Sequence, residues 1–341
     1  MKKIFFLIFV LFMLSACTAR NNLTSTLVPA AILVETNTLV PEPTRTELPP
    51  TPTITFEVST QTPTPSPEPT RTPSLEKIRE QPYAGASSTK QFLDIYLPTS
   101  SGGPIPSLLV IHGGGGDKAD FSSVAIRFVK LGYAVVSINY RDIPKDIYPA
   151  AVQDAFCALA WLHANSDDYN LDPARIFALG HSSGGTLAAM LGTVDDSALF
   201  LESCPFSLPE SSWIRGVVTF TGIFDYASAA ADSTELQAYI YRYLGEEQDS
   251  APIIWAEASP LSWVDGSEPP FLVIHGEADQ NIRPKQSVIF AEALETAQMD
   301  VQLLLIPDLD HGGVIWNETA LESVILFLDA LVNSCATFKD V

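Results

Sequence analysis

The run Gly180-His181-Ser182-Ser183-Gly184 separates two apolar segments and carries the pattern Gly-x-Ser-x-Gly. The segment before it, 175–179, predicts a buried strand, and the segment 183–191 predicts a helix. A serine on such a sharp strand-to-helix turn is held in strained geometry, and the flanking glycines leave room for neighbouring backbone. The same pattern also arises in ordinary turns, so Ser182 is a nucleophile only if the rest of the chain supplies its partners.

Buried strands alternate with helices on both sides of this turn. Apolar runs predict strands at 92–97, 107–111, 134–138, 175–179, 216–220, 271–274 and 301–306. Apolar residues at helical spacing predict helices at about 119–131, 148–164, 183–191, 285–298 and 318–333. This alternation favours the α/β class, with a mostly parallel sheet between layers of helices. In such sheets, ligands bind at the carboxyl ends of the strands.

One candidate catalytic residue follows each of the last two predicted strands. Ser182 needs a base within hydrogen-bond reach, and His311 follows the strand 301–306. Histidine titrates near neutral pH, so it can take a proton and return it. Asp279 follows the strand 271–274 and is expected to orient the imidazole and to stabilise its charged form. The chain order Ser, Asp, His is that of α/β-hydrolases.

A glycine run, His112-Gly113-Gly114-Gly115, follows the predicted strand 107–111. Glycine allows backbone N–H groups to turn toward a substrate carbonyl, so we expect Gly114 or Gly115 to donate to the developing oxyanion. Ser183, directly after the nucleophile, offers the second N–H group. We expect His112 and Gly113 to support this loop.

Four runs of the chain resemble one branch of the α/β-hydrolases, the hormone-sensitive-lipase-like and feruloyl/acetyl-esterase-like (BD-FAE-like) carboxylesterases. These runs are 110–115, 132–141, 180–185 and 269–279, and the resemblance extends over about 93–331. It implies an α/β-hydrolase fold with a small cap, with Ser182 as nucleophile, Asp279 as acid and His311 as base. It also implies an oxyanion loop at 112–115 and no metal or organic cofactor.

The chain departs from that family at two positions. The family often has an aromatic residue after the third glycine of the loop and an alanine after the nucleophile, where this chain has Gly116 and Ser183. We expect the first change to loosen the wall of the substrate pocket and the second to be harmless, because the donor is a backbone group. His181 and His275 are predicted to support loops, and His163 is predicted to lie on the surface of a helix.

The segment 221–264 is predicted to form a small cap over the active edge of the sheet. It holds seven aromatic residues: Phe224, Tyr226, Tyr239, Tyr241, Tyr243, Trp255 and Trp263. These side chains either line an acyl or alcohol pocket or pack a core of the cap's own, and the sequence leaves both roles open.

The chain has four cysteines: Cys17, Cys157, Cys204 and Cys335. In the fold that the resemblance implies, the helices near Cys157 and Cys204 share one face of the sheet, and the helix near Cys335 covers the other. We therefore predict a disulfide between Cys157 and Cys204, which would add roughly 4 kcal/mol by the chain-entropy model. No spacing of cysteine and histidine suggests a metal site.

Residues 1–17 are predicted to be a lipoprotein signal peptide, with basic residues, an apolar run at 4–14 and the ending Leu14-Ser15-Ala16-Cys17. This ending resembles the lipobox of bacterial lipoproteins, which implies that Cys17 is acylated and becomes the mature N-terminus. The alternative is an ordinary signal peptide with a chance cysteine. Residues 18–78, rich in Pro and Thr, are predicted to be a disordered stalk, which leaves 79–341 as the catalytic domain. We thus expect a location in the bacterial cell envelope, outside the cytoplasm and anchored to a membrane.

The sequence as a whole predicts a serine carboxylesterase that cleaves a small-molecule or polymer-borne ester. The formal net charge of −21 argues against nucleic acid as a partner and against electrostatic docking on anionic lipids. A peptidase or amidase of the same fold is one alternative, because the same groups cleave amides. A non-catalytic surface-binding module with a hydrolase fold is the alternative from another class, although no triad or oxyanion residue is missing.

Overall fold

Eight strands form a single sheet in the part of the chain that the structure describes. The structure, a computed structural model, describes residues 75–85, 90–99, 102–210 and 213–334, all of which lie within the unit Pro67–Val341. The predictions for the signal peptide, for Cys17, for Cys335 and for the stalk up to residue 74 therefore lie outside the described residues.

The sheet is mostly parallel. Its strands are β1 Leu75–Pro82, β2 Phe92–Pro98, β3 Ile105–Ile111, β4 Ala134–Ile138, β5 Leu171–His181, β6 Gly216–Phe220, β7 Phe271–Gly276 and β8 Val301–Ile306. Their order across the sheet is β1-β2-β4-β3-β5-β6-β7-β8. Because β2 pairs antiparallel with both β1 and β4, it alone runs against the other seven. The carboxyl ends of β3 to β8 therefore meet at one edge.

Helices cover both faces of this sheet. They are α1 Ser122–Lys130, α2 Ala150–Ala164, α3 Ser183–Thr193, α4 Ala198–Leu201, α5 Tyr226–Ala230, α6 Thr234–Leu244, α7 Pro252–Ala258, α8 Lys285–Thr296 and α9 Glu318–Asn333. One apolar core lies between the sheet and α2, α3 and α8, and a second lies beneath α1 and α9. No helix in the part of the chain that the structure describes is long and apolar enough to cross a membrane.

The predicted α/β-hydrolase fold is confirmed, and each of the seven predicted strands is present. The strands β4, β6 and β7 are buried along their whole length, as continuous apolar runs predict. The strand β1 was missed because its alternating charges and partial exposure are those of an edge strand. Residues 75–78 belong to β1 rather than to the stalk, so the prediction that the domain begins at 79 was wrong.

The predicted cap segment, 221–264, holds α5, α6 and α7 between β6 and β7. The helix α6 begins where the Ser233 side chain accepts a hydrogen bond from the Leu236 N–H group, and it ends at Gly245, whose φ is +77°. Several cap aromatics are buried in the main core rather than in a separate one: Phe224, Tyr226, Tyr243 and Trp255. The cap is therefore an extension of the core beneath α2 and α3.

A disulfide bond joins Cys157 of α2 to Cys204, which follows α4. The two Cα atoms are 5.5 Å apart, within the usual range for a disulfide. Both α2 and α4 pack on the same face of the sheet, where Phe156 stacks on Phe200 with ring centroids 5.4 Å apart. The bond thus ties the short α4 segment to the main core.

Candidate active site

Ser182 occupies the sharp turn between β5 and α3. Its φ is +57°, a conformation that costs free energy for a residue with a side chain and that often occurs at functional sites. The glycines on either side have no room for a Cβ atom. A Cβ on Gly180 would lie 1.9 Å from the Gly184 carbonyl oxygen, and a Cβ on Gly184 would lie 2.2 Å from the Ile111 carbonyl oxygen. The packing of β3, β5 and α3 therefore requires glycine at both positions.

Asp279, His311 and Ser182 form one chain of hydrogen bonds. The loop after β8 places His311 Nε2 2.9 Å from Ser182 Oγ, and His311 Nδ1 lies 2.7 Å from Asp279 Oδ2. A carboxylate only accepts, so Nδ1–H donates to Asp279 and Nε2 is left to accept the Ser182 proton. This tautomer is the one that a general base needs.

Asp279 is fully buried, and four groups hold its carboxylate. Oδ1 accepts hydrogen bonds from the N–H groups of Asn281 and Ile282, at 2.8 and 3.0 Å. Oδ2 accepts from His311 and also from His275 Nε2, at 3.1 Å. Burial by itself raises the pKa of Asp279, but the hydrogen bonds from His275 and His311 outweigh it and hold the pKa well below its ordinary value. The carboxylate therefore stays ionised beside the imidazole.

His275 forms a hydrogen bond with the carboxylate of Asp279, a contact that the sequence did not predict. Its Nε2–H group faces two acceptors, Asp279 Oδ2 and the Ile282 carbonyl oxygen, the latter at 3.0 Å. Its Nδ1 then accepts from the Ser287 hydroxyl at 2.7 Å. The imidazole is fully buried, and it is a second donor to the same carboxylate oxygen that accepts from His311. Only its position four residues before Asp279 could have indicated this contact.

The glycine loop after β3 lies against the nucleophile. A Cβ on Gly113 would be 3.2 Å from Ser182 Cβ, and a Cβ on Gly114 would be 3.1 Å from Ser183 Oγ. The N–H group of Gly115 instead donates to Asp142 Oδ2 at 2.8 Å. The expectation that Gly115 might serve as an oxyanion donor is therefore corrected, because its proton is already bonded. Gly114 and Ser183 remain the candidate donors.

Two histidines support these loops, as the sequence indicated. His112 Nδ1 lies 2.7 Å from the Gly113 carbonyl oxygen, and its ring stacks on Tyr140, with centroids 4.5 Å apart. His181 Nε2–H donates to the His311 carbonyl oxygen at 2.7 Å, which links the nucleophile turn to the loop of the base. Burial lowers the pKa of His181 to about 4, so this imidazole is neutral near neutral pH.

His163 lies on a helix, as predicted, but it is less exposed than a surface residue. It is partly buried at the end of α2, and its Nε2 lies 2.8 Å from the Trp213 carbonyl oxygen. Burial lowers its pKa. The sequence could not predict this contact, because Trp213 lies far from His163 along the chain, in the segment between β5 and β6.

Two side chains that the sequence analysis did not assign to the site contact the oxyanion loop. Asp142, after β4, accepts the Gly115 N–H group. Tyr239, in the cap helix α6, shares a hydrogen bond of 2.9 Å with Ser183 Oγ. A cavity of only about 10 Å³ lies beside these groups, lined also by Tyr140 and Tyr226. The cap thus reaches the residue directly after the nucleophile.

An open cleft of about 450 Å³ leads to Ser182. The residues that line it include those of the glycine loop, together with Asp120, Phe121, His311 and Trp316. Trp316 is 48% exposed, and its ring centroid is 6.3 Å from that of Phe121. We expected Gly116 to loosen the pocket wall, because it lacks an aromatic side chain. The Asp120 carboxylate occupies part of this space, since a Cβ on Gly116 would lie 2.8 Å from Asp120 Oδ2.

This arrangement can support acyl transfer, because a serine, a base and an orienting carboxylate are joined by hydrogen bonds and a glycine loop lies beside the serine. No group of His, Cys, Asp and Glu in the described ranges is arranged to hold a metal ion. Each part lies at the carboxyl end of a parallel strand, where ligands bind in open α/β sheets.

Comparison with known proteins shows the family to which the chain belongs. The family model described as BD-FAE matches residues 93–294, which is more than half of the chain. Two relatives come from Mycobacterium tuberculosis. Esterase LipQ is 30% identical over 68% of this chain and 56% of its own length, and Esterase LipC is 31% identical over 73% and 64%. The chain thus spans between about half and two thirds of the length of these relatives.

The fold also resembles solved structures. A truncated form of a carbohydrate esterase from gut microbiota superposes with a TM-score of 0.68 at 25% identity. The match covers 77% of this chain and 98% of that one.

Proposed function

Because the chain belongs to the BD-FAE family of α/β-hydrolases, we propose that it is a serine carboxylesterase. The observation that carries this proposal is the continuous hydrogen-bond chain from Asp279 through His311 to Ser182. The relatives LipQ and LipC are named esterases, which supports the same reaction class. The glycine loop beside the nucleophile supports acyl transfer, because it offers backbone donors to a tetrahedral oxyanion.

In the first half of the proposed reaction, an ester acylates the enzyme. His311 Nε2 takes the hydroxyl proton as Ser182 Oγ attacks the carbonyl carbon, and the electron pair of the carbonyl moves onto its oxygen. The N–H groups of Gly114 and Ser183 stabilise this oxyanion, and the ionised Asp279 stabilises the imidazolium. When the tetrahedral intermediate collapses, His311 returns the proton to the leaving alcohol, and the acyl group stays on Ser182.

Water completes the reaction. His311 takes one proton from a water molecule that attacks the acyl-enzyme, and the same N–H groups stabilise the second oxyanion. Collapse of this intermediate returns the proton to Ser182 Oγ and releases the carboxylic acid. The leaving alcohol must lie beside His311, which lines the cleft.

Hydrolysis of p-nitrophenyl acetate, butyrate and laurate by the full chain tests the proposal. We expect turnover of at least the short esters, and a loss of kcat of at least about a thousandfold in Ser182→Ala and in His311→Ala. His163→Ala is the matched control, since this histidine lies away from the cleft and its loss is expected to leave turnover intact. Failure of the wild-type chain to cleave any ester would reject the proposal.

We also propose that the protein is anchored outside the cytoplasm by lipid on Cys17, with residues 18–74 as a spacer. The lipobox-like run Leu14-Ser15-Ala16-Cys17 supports the anchor, because acyl chains hold a protein at a membrane surface without a spanning helix. The Cys157–Cys204 disulfide supports the location, because such bonds persist in oxidising compartments.

Fractionation of cells that express the full chain tests this location. We expect the wild-type protein in the membrane fraction and Cys17→Ser in the soluble fraction or in the unprocessed form. Cys335→Ser provides the matched control and is expected to remain with the membranes. A Cys17→Ser protein that has lost its signal peptide and still fractionates with the membranes would show that lipid on Cys17 is not the anchor.

A further inference from the structure

The oxyanion loop consists of glycines, and this raises the question of what holds it in place. Residues 113–116 are all glycine, so the loop has no side chains of its own with which to anchor itself. Glycine loses more conformational freedom on ordering than any other residue. An oxyanion hole nevertheless needs its donors within a few tenths of an ångström of their position. Contacts with residues outside the loop must therefore hold its backbone in position.

One external contact comes from Asp142. Its Oδ2 accepts the Gly115 N–H group at 2.8 Å, where Gly115 has a φ of +71°. Its other oxygen, Oδ1, accepts the N–H group of Ile143 at 2.7 Å, which fixes the carboxylate itself. The loop is thus tied to the chain segment directly after β4.

The second contact comes from the cap. Tyr239 OH and Ser183 Oγ are 2.9 Å apart, and Ser183 carries the other oxyanion donor on its backbone. A Cβ on Gly114 would lie 3.1 Å from both of these oxygens and 3.9 Å from Asp142 Oδ2. The three side chains therefore converge on Gly114, the predicted donor of the loop.

These groups have little freedom to rearrange. The cavity between Tyr239, Ser183 and Asp142 measures about 10 Å³, which is room for roughly one water molecule. Burial raises the pKa of Tyr239, so its phenol remains protonated and neutral over the whole working range of pH. The hydrogen bond to Ser183 is therefore present throughout that range.

The charge of Asp142 cannot itself favour catalysis. A carboxylate close to Gly114 repels the negative charge that develops on the substrate oxygen. Any benefit of Asp142 to the reaction must then come from the position that it gives to Gly115 rather than from its field. The position that Asp142 gives to Gly115 favours the reaction, whereas its negative charge opposes it. A variant that keeps the hydrogen bond and removes the charge therefore tests the role of Asp142.

We propose that Asp142 and Tyr239 are positioning residues of the oxyanion hole, which hold Gly114 and Ser183 without touching substrate. The cap helix α6 thereby contributes to the rate of acyl transfer and not only to the core. The inference rests on the proposed esterase function, and it concerns kcat rather than substrate binding.

The test compares variants of the full chain with p-nitrophenyl acetate as substrate. We expect Asp142→Ala and Tyr239→Phe each to lower kcat by about tenfold to a hundredfold, with KM within about twofold of wild type. Asp142→Asn keeps an acceptor oxygen and removes the charge, so it is expected to retain at least the wild-type kcat. Tyr241→Phe, on the same helix with its ring against Trp255, is the matched control and is expected to be unchanged.

Two further measurements separate positioning from a general loss of stability. Ser183→Ala removes the Tyr239 hydrogen bond from the other side, so the double variant with Tyr239→Phe is expected to be no slower than either single variant. The affinity of a trifluoromethyl ketone, which forms a tetrahedral adduct, is expected to fall in parallel with kcat.

Each contrary result has a distinct meaning. An Asp142→Asn enzyme as slow as Asp142→Ala, fully additive losses at Ser183 and Tyr239, or a change in KM alone would overturn the inference. A wild-type chain without esterase activity would instead reject the proposed function on which the inference rests.

Discussion

His181 lies outside the triad, but its imidazole contacts His311, the base of the triad. It donates to the His311 carbonyl oxygen at 2.7 Å, and the two rings are 4.9 Å apart, between centroids. Protonation of His181 would place a second positive charge beside the imidazolium that forms during catalysis. Burial prevents this, since it lowers the pKa of His181 to about 4.

This shift predicts a pH dependence of stability. Because the pKa of His181 falls from 6.5 in the unfolded chain to about 4 in the folded one, the unfolded chain binds the additional proton. The free energy of unfolding is therefore expected to decrease as pH falls from about 6.5 to about 4, by up to roughly 3 kcal/mol from this residue.

Urea unfolding of wild type and His181→Gln at several pH values between 4 and 7 measures this contribution. We expect a shallower pH dependence in the variant, because glutamine does not titrate. Identical slopes in the two proteins would show that His181 is not held neutral by the fold.

Sequence order and spacing were sufficient to predict Ser182, Asp279 and His311, since each follows a buried strand whose end is easily recognised. They were not sufficient for Asp142, Tyr239 or His275. The contacts of Asp142 and Tyr239 depend on how β4 and α6 pack against the glycine loop, and polar residues near a strand end or in an amphipathic helix are usually solvated.

At the scale of elements, the strand–turn–helix unit of β5 and α3 is held together by close backbone contact. Gly180 and Gly184 face each other at a distance that excludes any side chain, and Gly184 also touches the end of β3. The turn is therefore fixed by packing on three elements rather than by hydrogen bonds alone. This explains how a non-glycine residue remains at a φ of +57° between them.

Gly180→Ala is expected to lower the free energy of unfolding by at least about 3 kcal/mol, because the new methyl group would collide with the backbone of α3. Gly103→Ala is the matched control, since nothing lies within 4 Å of a Cβ at that position. Chemical denaturation of both variants measures the difference. Equal stability of the two would contradict the close packing described for the turn.

Buried elements were predicted well from sequence because apolar runs and helical spacing follow directly from burial. The edge strand β1 was not predicted, because it is held partly by ion pairs that no local pattern reveals. Lys77 pairs with Asp94, and Glu80 pairs with Lys118. Helix ends shifted by a few residues for a similar reason: α2 begins at Ala150 rather than at Tyr148.

At the scale of the whole molecule, the disulfide closes a long loop that contains β5 and the nucleophile. Cys157 lies in α2 and Cys204 follows α4, and the two cysteines are separated by 47 residues in the sequence. A cross-link of this length restricts the unfolded chain more than the folded one. We therefore expect it to stabilise the domain.

The double variant Cys157→Ser/Cys204→Ser is expected to lose about 4 kcal/mol of unfolding free energy by the chain-entropy model. Its kcat at low temperature is expected to match that of wild type, because neither cysteine lines the cleft. Urea unfolding of wild type with and without reductant provides the control. A variant as stable as the oxidised wild type would remove the stabilising role of the bond.

The reaction of the full chain with a fluorophosphonate, followed by intact-mass and peptide analysis, tests whether Ser182 is an activated nucleophile. A single adduct on Ser182 is expected, since only a serine activated by His311 reacts rapidly with this class of reagent. The adduct is expected to be absent in Ser182→Ala and to form far more slowly in His311→Ala. No adduct on the wild-type protein, or equal labelling of Ser182→Ala, would contradict the account.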